Sequence, residues 1–232
     1  MYEVIYSDSF FVNFITTSVF LFLILIFCFS KFYINNKSIL IFGEFQPIIL
    51  FFVIFNIIAF AFNFIIYLNI YIYFKYFLYF LIFCFFLIWL YLGKKVELSV
   101  FNKKIFLGKK KYIILLFFII FYLISILPIS DADSIAIHQN LANYIYLNGL
   151  EAVNLKKDFE FTTLANSEIL LILSPILKSD NFGSQLNFFS LLLFYYIFYK
   201  HNKSFIFFIF SCPLIIFLIS TQKLQLFFAI LY

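Results

Sequence analysis

Residues 112–140 of the chain read YIILLFFIIFYLISILPISDADSIAIHQN. The first part, from Tyr112 to about Ile129, is an uninterrupted apolar run, long enough as a helix to cross the ~30 Å hydrocarbon core of a bilayer. The second part opens a polar segment, and seven of the eleven acidic residues of the chain lie between Asp131 and Asp180. Because carboxylates are costly near lipid, a cluster of them at the end of a membrane helix indicates a functional site.

The composition places the whole chain among membrane proteins. Hydrophobic residues make up 66% of its 232 residues, 41 residues are Phe, and the mean hydropathy is +1.08. These values lie far outside the range of soluble globular domains. The sequence therefore predicts an all-α fold, a polytopic transmembrane helix bundle of about six to seven spans. The predicted spans cover about residues 9–30, 47–67, 73–91, 112–129, 185–199 and 204–220, and another begins before Tyr232.

The lysines predict the orientation of these spans. All 16 basic residues are Lys, and seven of them lie in the short segment 93–111. Because positive charge is retained on the inner side, we expect residues 93–111 to be cytoplasmic. The N-terminus and residues 130–184 are then outside, as in a multi-pass protein of a bacterial inner membrane. These lysine runs account for the net charge of +5, and we expect no nucleic-acid partner.

The outer segment 130–184 is predicted to hold two short helices. The first begins with a capping-box pattern at Ser130 and Asp133 and stops at Gly149. The second covers about residues 164–177, and its apolar part is too short to span a bilayer. We expect both to be interfacial helices that lie along the membrane surface. The apolar face of the first helix would be formed by Ile137, Leu141, Tyr144 and Ile145.

Asp131 and Asp133 are the candidate catalytic residues. A carboxylate at the membrane surface can act as a general base that takes a proton from an acceptor hydroxyl. The alternative is that both are simple caps, because a helix N-terminus favours anions. With either carboxylate, His138 would complete a divalent-metal site, although no established ligand spacing is present. His138 alone is more typical of a hydrogen-bonding residue.

Four residues are predicted to bind substrate, namely His138, Glu168, Gln222 and Lys223. Glu168 precedes an apolar run, so its alternative role is to place a negative charge in the first turn of a helix. Gln222 and Lys223 return to the outer side, where they would meet a lipid-linked phosphate; alternatively, Lys223 extends its amine to the membrane surface.

The cysteines fall in apolar runs and are predicted to be small buried residues without a disulfide: Cys28, Cys84 and Cys212.

These features follow one another in a characteristic order. A span is followed by an outer loop that opens Pro128-x-Ser130-Asp131-x-Asp133, a helix that ends at Asn148-Gly149, the segment NSEILLILSPILKSDNFGSQLNFF (166–189) and a span with a basic turn. This order resembles the start of the GT-C class of polyprenyl-phosphate-sugar-dependent glycosyltransferases, which includes protein O-mannosyltransferases and lipid A aminoarabinose transferases. It is most similar to bacterial members whose loop reads roughly DADSLxYH, and Ile137 departs from their aromatic residue.

The resemblance covers residues 112–232 and implies an inverting glycosyl transfer. In that class an acidic residue of the first outer loop is the general base or helps to bind a metal, and by position the role falls on Asp131 or Asp133, with a slight preference for Asp133. The donor implied is a polyprenyl-phosphate-linked sugar, and the acceptor is a glycan, lipid or protein outside the cytoplasm. A divalent metal, if one takes part, would be Mg²⁺ or Mn²⁺.

The resemblance also divides the chain into two parts. Residues 1–111 would be an N-terminal transmembrane extension of three spans and a basic cytoplasmic loop, and residues 112–232 would begin the catalytic core. Because the last apolar run stops after nine residues, we expect the chain to be the N-terminal fragment of a longer enzyme.

Three other functions are compatible with many spans and one polar outer loop. O-antigen polymerases and ligases have this layout but rely on outer-loop arginines, and the chain contains no Arg. Transporters place charges at the bilayer midplane and show internal repeats, whereas the charges here lie at the ends of apolar runs. The remaining alternative is a fragment without activity.

Overall fold

The computed structural model describes residues 10–30, 32–34, 37–39, 45–68, 70, 73–92, 110–127, 138–148, 169–201, 212–221 and 223–229. These residues are predominantly helical, so the predicted helical class is confirmed for them. The helices are α1 (Phe10–Phe29), α2 (Gln46–Tyr67), α3 (Phe74–Leu92), α4 (Lys110–Ile126), α5 (Asn140–Asn148), α6 (Leu173–Leu177), α7 (Phe182–His201), α8 (Pro213–Ile219) and α9 (Gln225–Ala229).

The first four helices begin and end within about three residues of the predicted bounds. The reason is local, since each is a long apolar run bounded by polar residues or by proline. Pro47 lies in the first turn of α2 and Pro213 in the first turn of α8, where a missing backbone N–H costs nothing. The helix α7 begins at Phe182, three residues before the predicted Gln185.

A short antiparallel ladder follows α1 and was not predicted. Its strands are β1 (Phe32–Ile34) and β2 (Lys37–Ile39), paired with Phe32 opposite Ile39 and Ile34 opposite Lys37. Three residues per strand are too few to show a period of two in the sequence, so the pattern gave no signal.

The helix α7 is the centre of the fold and packs against α1, α4, α6, α8 and α9. It runs antiparallel to α4, because Tyr122 of α4 contacts Phe188 while Phe118 contacts the later Tyr195. It runs parallel to α1, where Ser18 donates a hydrogen bond of 2.8 Å to Gln185 Oε1 and Phe29 packs edge-on to Tyr196. Every residue from 181 to 191 is buried. Its N-terminal half is therefore surrounded by protein.

The predicted interfacial segment 164–177 differs from expectation in the part that is described. Only Leu173–Leu177 forms a continuous helix, and residues 169–176 are all buried, with Ile172 0% exposed. An interfacial helix would leave one side open, whereas these apolar side chains pack against protein. Residues 164–168 lie outside the described part. The other predicted interfacial helix is described from Asn140 and ends at Asn148, one residue before the predicted stop at Gly149.

One described helix is long and apolar enough to cross a membrane, judged by length and composition. It is α2, with a mean hydropathy of 2.7 over its most apolar window, of which 44% is buried. Four shorter apolar stretches have described side chains, at Ile15–Phe29, Phe74–Ile88, Tyr112–Ile126 and Phe182–Phe198. These helices give a weak indication of membrane association.

Candidate functional site

Only two of the six predicted site residues belong to the described part of the chain. Asp131, Asp133, Glu168 and Gln222 lie outside the described residues. His138 and Lys223 are described, and both are half-buried. Their surroundings define the candidate site.

His138 and Gln139 form a π-helical turn that continues into α5, and the side chain of Gln139 is fixed to the start of α7. Its Nε2 donates a hydrogen bond of 2.5 Å to Oδ1 of Asp180, which lies 41 residues further along the chain. Asp180 is two residues before Phe182, where α7 begins. The beginning of α5, with His138, is therefore tied to the N-terminus of the central helix.

The end of α4 is tied to the same point. Asn181 directly follows Asp180, and its Nδ2 donates a hydrogen bond of 2.7 Å to the carbonyl of Ile126, the last residue of α4. One turn further on, Ser184 Oγ lies 2.9 Å from the carbonyl of Ser125, to which it donates. The dipeptide Asp180-Asn181 thus joins the end of α4 and the start of α5.

The turn before α7 has a backbone conformation that is unfavourable for its residue. Lys178 ends α6 at φ 53° and ψ 43°, in the left-handed region, where a side chain with a Cβ is strained. Ser179 N–H bonds to the carbonyl of Ser174 at 2.9 Å, which completes a Schellman-type helix end. This turn aims Asp180 back toward α5.

Burial raises the pKa of the Asp180 carboxyl above its ordinary value, and the hydrogen bond from Gln139 opposes that shift. The carboxyl is only half-buried, so water reaches part of it. It also lies next to the N-terminus of α7, where the helix dipole favours a negative charge. Burial therefore makes this carboxyl easier to protonate than an exposed aspartate.

Lys223 lies in the break between α8 and α9. Its carbonyl accepts a 2.7 Å hydrogen bond from Nδ2 of Asn187 on α7, and the same nitrogen lies 2.8 Å from the carbonyl of Leu218, near the end of α8. Asn187 is 0% exposed, and its Oδ1 is buried without a hydrogen-bond partner. The amide therefore satisfies carbonyls that the broken helix leaves open.

His138 and Lys223 are attached to α7 at two different positions along its axis. His138 is attached through the residues before α7, and the backbone of Lys223 is attached through Asn187, six residues after Asn181. Six residues of α-helix correspond to about 9 Å along the axis.

The donor set proposed for a metal is only partly described. In the described part of the chain, no group of three or more His, Cys, Asp and Glu side chains could hold a metal ion. The two carboxylates that would join His138 lie outside that part. Carboxylate oxygens with one imidazole would suit Mg²⁺ or Mn²⁺ in their chemistry.

The sequence reasoning did not single out Asp180, Asn181 or Asn187 as site residues. They lie next to one another in the segment SDNFGSQLN (179–187), where polar side chains interrupt an apolar run. That interruption was the available signal, because polar side chains that are buried among apolar ones need hydrogen-bond partners. The partners themselves come from α4, α5 and the α8–α9 break.

The cysteines are free, and Cys28 is buried as predicted, while Cys84 and Cys212 are half-buried.

Comparison of the chain with protein-family models, curated proteins and solved structures found no match. The resemblance to the GT-C class stays a prediction.

Proposed function

We propose that the chain is a membrane glycosyltransferase, or part of one, that transfers a sugar from a polyprenyl-phosphate donor to an acceptor outside the cytoplasm. The observation that carries this proposal is that the polar loop after α4 has both ends held at one point. Ile126 and Gln139 bond to the neighbouring residues Asn181 and Asp180.

The membrane part of the proposal is six to seven spans in an inner membrane, with residues 130–184 outside. It is supported by large apolar side chains that the described helices expose on their outer faces, such as Phe60 at 74%, Phe80 at 60% and Leu116 at 57%. Surfaces of this kind are costly in water and suit lipid. The antiparallel direction of α4 and α7 also agrees with the two spans that flank the proposed outer loop.

The anchored loop limits where its carboxylates can be. An extended residue covers at most about 3.6 Å, so Asp133, five residues before His138, is held within about 18 Å of it. Asp131 is four residues after Leu127 and is limited in the same way to about 14 Å. The proposal takes both carboxylates to act at the end of the bundle where α4 ends and α7 begins.

At that end, Asp133 or Asp131 acts as the general base. It accepts the proton of the acceptor hydroxyl while the hydroxyl oxygen attacks the anomeric carbon of the donor sugar and the polyprenyl phosphate leaves. Inversion follows because attack and departure occur on opposite faces of the sugar. The Lys223 ammonium and Gln222 would stabilise the charge on the departing phosphate, and Glu168 would orient the acceptor.

Asp131, Asp133 and His138 would hold the divalent metal, if one takes part. Bound there, Mg²⁺ or Mn²⁺ would supply positive charge for the donor phosphate. The described residues act on the loop itself: the bond between Gln139 and Asp180 fixes the position of the neighbouring His138.

The test is a transfer assay with the protein in native membranes. Vesicles are supplied with a radiolabelled, polyprenyl-phosphate-linked hexose, and label in glycan, lipid and protein acceptors is measured separately. We expect Asp133→Asn, or Asp131→Asn if that residue is the base, to lower kcat/KM by about 10²–10⁴-fold. The matched control is Asp158→Asn, which removes a carboxylate from the same outer segment.

Two results would contradict the proposal. The first is equal transfer by both variants and by Asp158→Asn. That result would show that neither Asp131 nor Asp133 is the general base. The second is transfer from a nucleotide sugar but not from the polyprenyl-phosphate donor, which would place the donor site on the cytoplasmic side.

A further inference from the structure

Asp180 has one carboxylate oxygen that is held and one that is free. Its Oδ1 accepts the 2.5 Å hydrogen bond from Gln139 Nε2. Within the described ranges, Oδ2 has no hydrogen-bond partner, and no Lys or His side chain pairs with the carboxylate. The buried side-chain atoms that lack a partner in this part of the chain belong to Asn181 and Asn187 instead, so Oδ2 of the half-buried Asp180 is open to solvent.

The bond to Gln139 does not require a carboxylate. An asparagine at position 180 would present the same acceptor oxygen to Gln139 without placing a charge in a half-buried position. Burial of an unpaired charge costs free energy, and this cost is what raises the pKa of Asp180. The attachment of α5 therefore does not account for the charge.

The neighbouring attachments are made by neutral side chains. Asn181 and Ser184 bond to carbonyls at the end of α4, and Asn187 bonds to carbonyls in the break between α8 and α9. All three are buried, with at most 3% of the residue exposed. In the segment 179–187, Asp180 is the one charged residue, and it keeps part of its surface open. This placement suits a group that meets a ligand, whereas its neighbours are placed to hold helices together.

The chemistry of the free oxygen selects the ligand. An ionised carboxylate accepts hydrogen bonds and donates none, so Oδ2 binds a donor. In the proposed transfer, both the donor sugar and the acceptor carry hydroxyl groups. The bond from Gln139 fixes the rotation of the carboxylate and therefore the direction of Oδ2. A carboxylate that is already oriented loses less entropy when a hydroxyl group binds to it.

We propose that Asp180 is a substrate-binding residue whose Oδ2 accepts a hydrogen bond from a hydroxyl group of the substrate. It lies beside the start of α5, which carries His138, and directly before Asn181, which is bonded to the end of α4. The inference rests on the proposed function, because the glycosyl transfer is what brings a hydroxyl-bearing molecule to this end of the bundle.

The transfer assay in native membranes tests this role with Asp180→Asn. Asparagine keeps the oxygen that Gln139 needs and replaces Oδ2 by an amide nitrogen, which donates. We expect KM to rise about 10–100-fold for the substrate whose hydroxyl is bound, with kcat nearly unchanged, because the bond is present before and during the transfer. The polyprenyl-phosphate-linked hexose and the acceptor fraction that takes up label in the wild-type assay are titrated separately. The substrate whose KM rises carries the hydroxyl group.

Gln139→Leu is the matched control, since it breaks the attachment of α5 and keeps the carboxylate. A role of Asp180 that is limited to holding α5 predicts a larger loss of transfer in Gln139→Leu than in Asp180→Asn, whereas substrate binding predicts the opposite order. Circular dichroism checks that both variants are folded.

Cysteine labelling provides a second measurement that does not depend on turnover. In a background with Ser or Ala at the three native cysteine positions, Asp180→Cys is treated with a membrane-impermeant methanethiosulfonate reagent from the outer side. We expect it to react, and we expect the reaction to slow when the polyprenyl-phosphate-linked hexose or the acceptor fraction is present.

Three results would overturn this inference alone and leave the proposed function standing. They are wild-type KM values in Asp180→Asn, a loss of transfer in Gln139→Leu that exceeds the loss in Asp180→Asn, and labelling of Asp180→Cys that neither substrate slows. Absence of transfer by the wild type is a different outcome, because it would overturn the proposed function and this inference together.

Discussion

Gln139 donates a side-chain hydrogen bond to the carboxyl of Asp180, 41 residues away, and this bond ties α5 to the start of α7. Asp180 adjoins Asn181, which bonds to the end of α4. The end of α4 and the start of α5 are therefore both bonded to the dipeptide Asp180-Asn181.

Removing the donor of this pair should destabilise the protein. In Gln139→Ala the half-buried carboxyl of Asp180 loses its partner, and we expect the free energy of unfolding to fall by about 1–2 kcal/mol. In an Asp180→Asn background the same change should cost less, because the carboxylate is gone. Reversible unfolding in mixed micelles measures both values as a double-mutant cycle.

Asn148→Ala is the control for that cycle. Asn148 lies at the other end of α5 and bonds to the carbonyl of Tyr144 in its own helix. Asn148→Ala should lower the free energy of unfolding by the same amount in both backgrounds. Equal losses for Gln139→Ala in the two backgrounds would contradict a specific bond between Gln139 and Asp180.

Asp180 should make stability depend on pH. Burial raises its pKa above the ordinary value of 3.8, and the bond from Gln139 only partly opposes this. Between 3.8 and the raised pKa the folded state binds more protons than the unfolded state, so stability decreases as pH rises through that window. We expect Asp180→Asn to lack this decrease. We measure the free energy of unfolding of wild type and variant from pH 4 to pH 7. The stability of the wild type relative to the variant should decrease as pH rises.

Groups that titrate equally in both proteins contribute equally to both stabilities, so their contributions cancel in this difference. A wild type that gains stability over the variant between pH 4 and pH 7 would mean that the folded state lowers the pKa of Asp180. The hydrogen bond from Gln139 would then outweigh burial.

The long helices were predictable because their signal is local. The helices α2 and α3 are apolar runs of about 20 residues, and Pro47 marks the start of α2. The residues of the site were harder to predict from the sequence, because their roles depend on partners that are distant along the chain. Nothing near Asp180 in the sequence indicates Gln139, and nothing near Asn187 indicates the break between α8 and α9.

The burial of residues 169–176 was missed for the same reason. A short apolar helix lying on a membrane and one covered by neighbouring helices have the same composition. Only tertiary packing, here against α5 and α7, decides between them.

Lys178→Gly should stabilise the turn that positions Asp180. Lys178 is exposed and has φ 53°, a conformation in which its Cβ is strained and glycine is not. After allowance for the greater freedom of glycine in the unfolded chain, we expect a gain of about 0.5–1 kcal/mol in the free energy of unfolding. Lys178→Ala keeps the Cβ and should give no gain. A gain of the same size from alanine would show that the lysine charge, and not the backbone, is unfavourable.

Asn187 should be the most sensitive polar residue of α7, because its amide is fully buried and serves the break between α8 and α9. Its Nδ2 bonds to the carbonyls of Leu218 and Lys223 at 2.8 and 2.7 Å. In Asn187→Ala both carbonyls lose a donor, and we expect the free energy of unfolding to fall by about 2–4 kcal/mol. Asn187→Asp should be at least as harmful, since it places an acceptor against acceptors. Ser190→Ala is the matched control, because Ser190 donates to the carbonyl of Leu186 one turn earlier on α7, and it should cost less than about 1 kcal/mol. If Asn187→Asp were as stable as wild type in mixed micelles, donation by this amide would not hold the broken helix on α7.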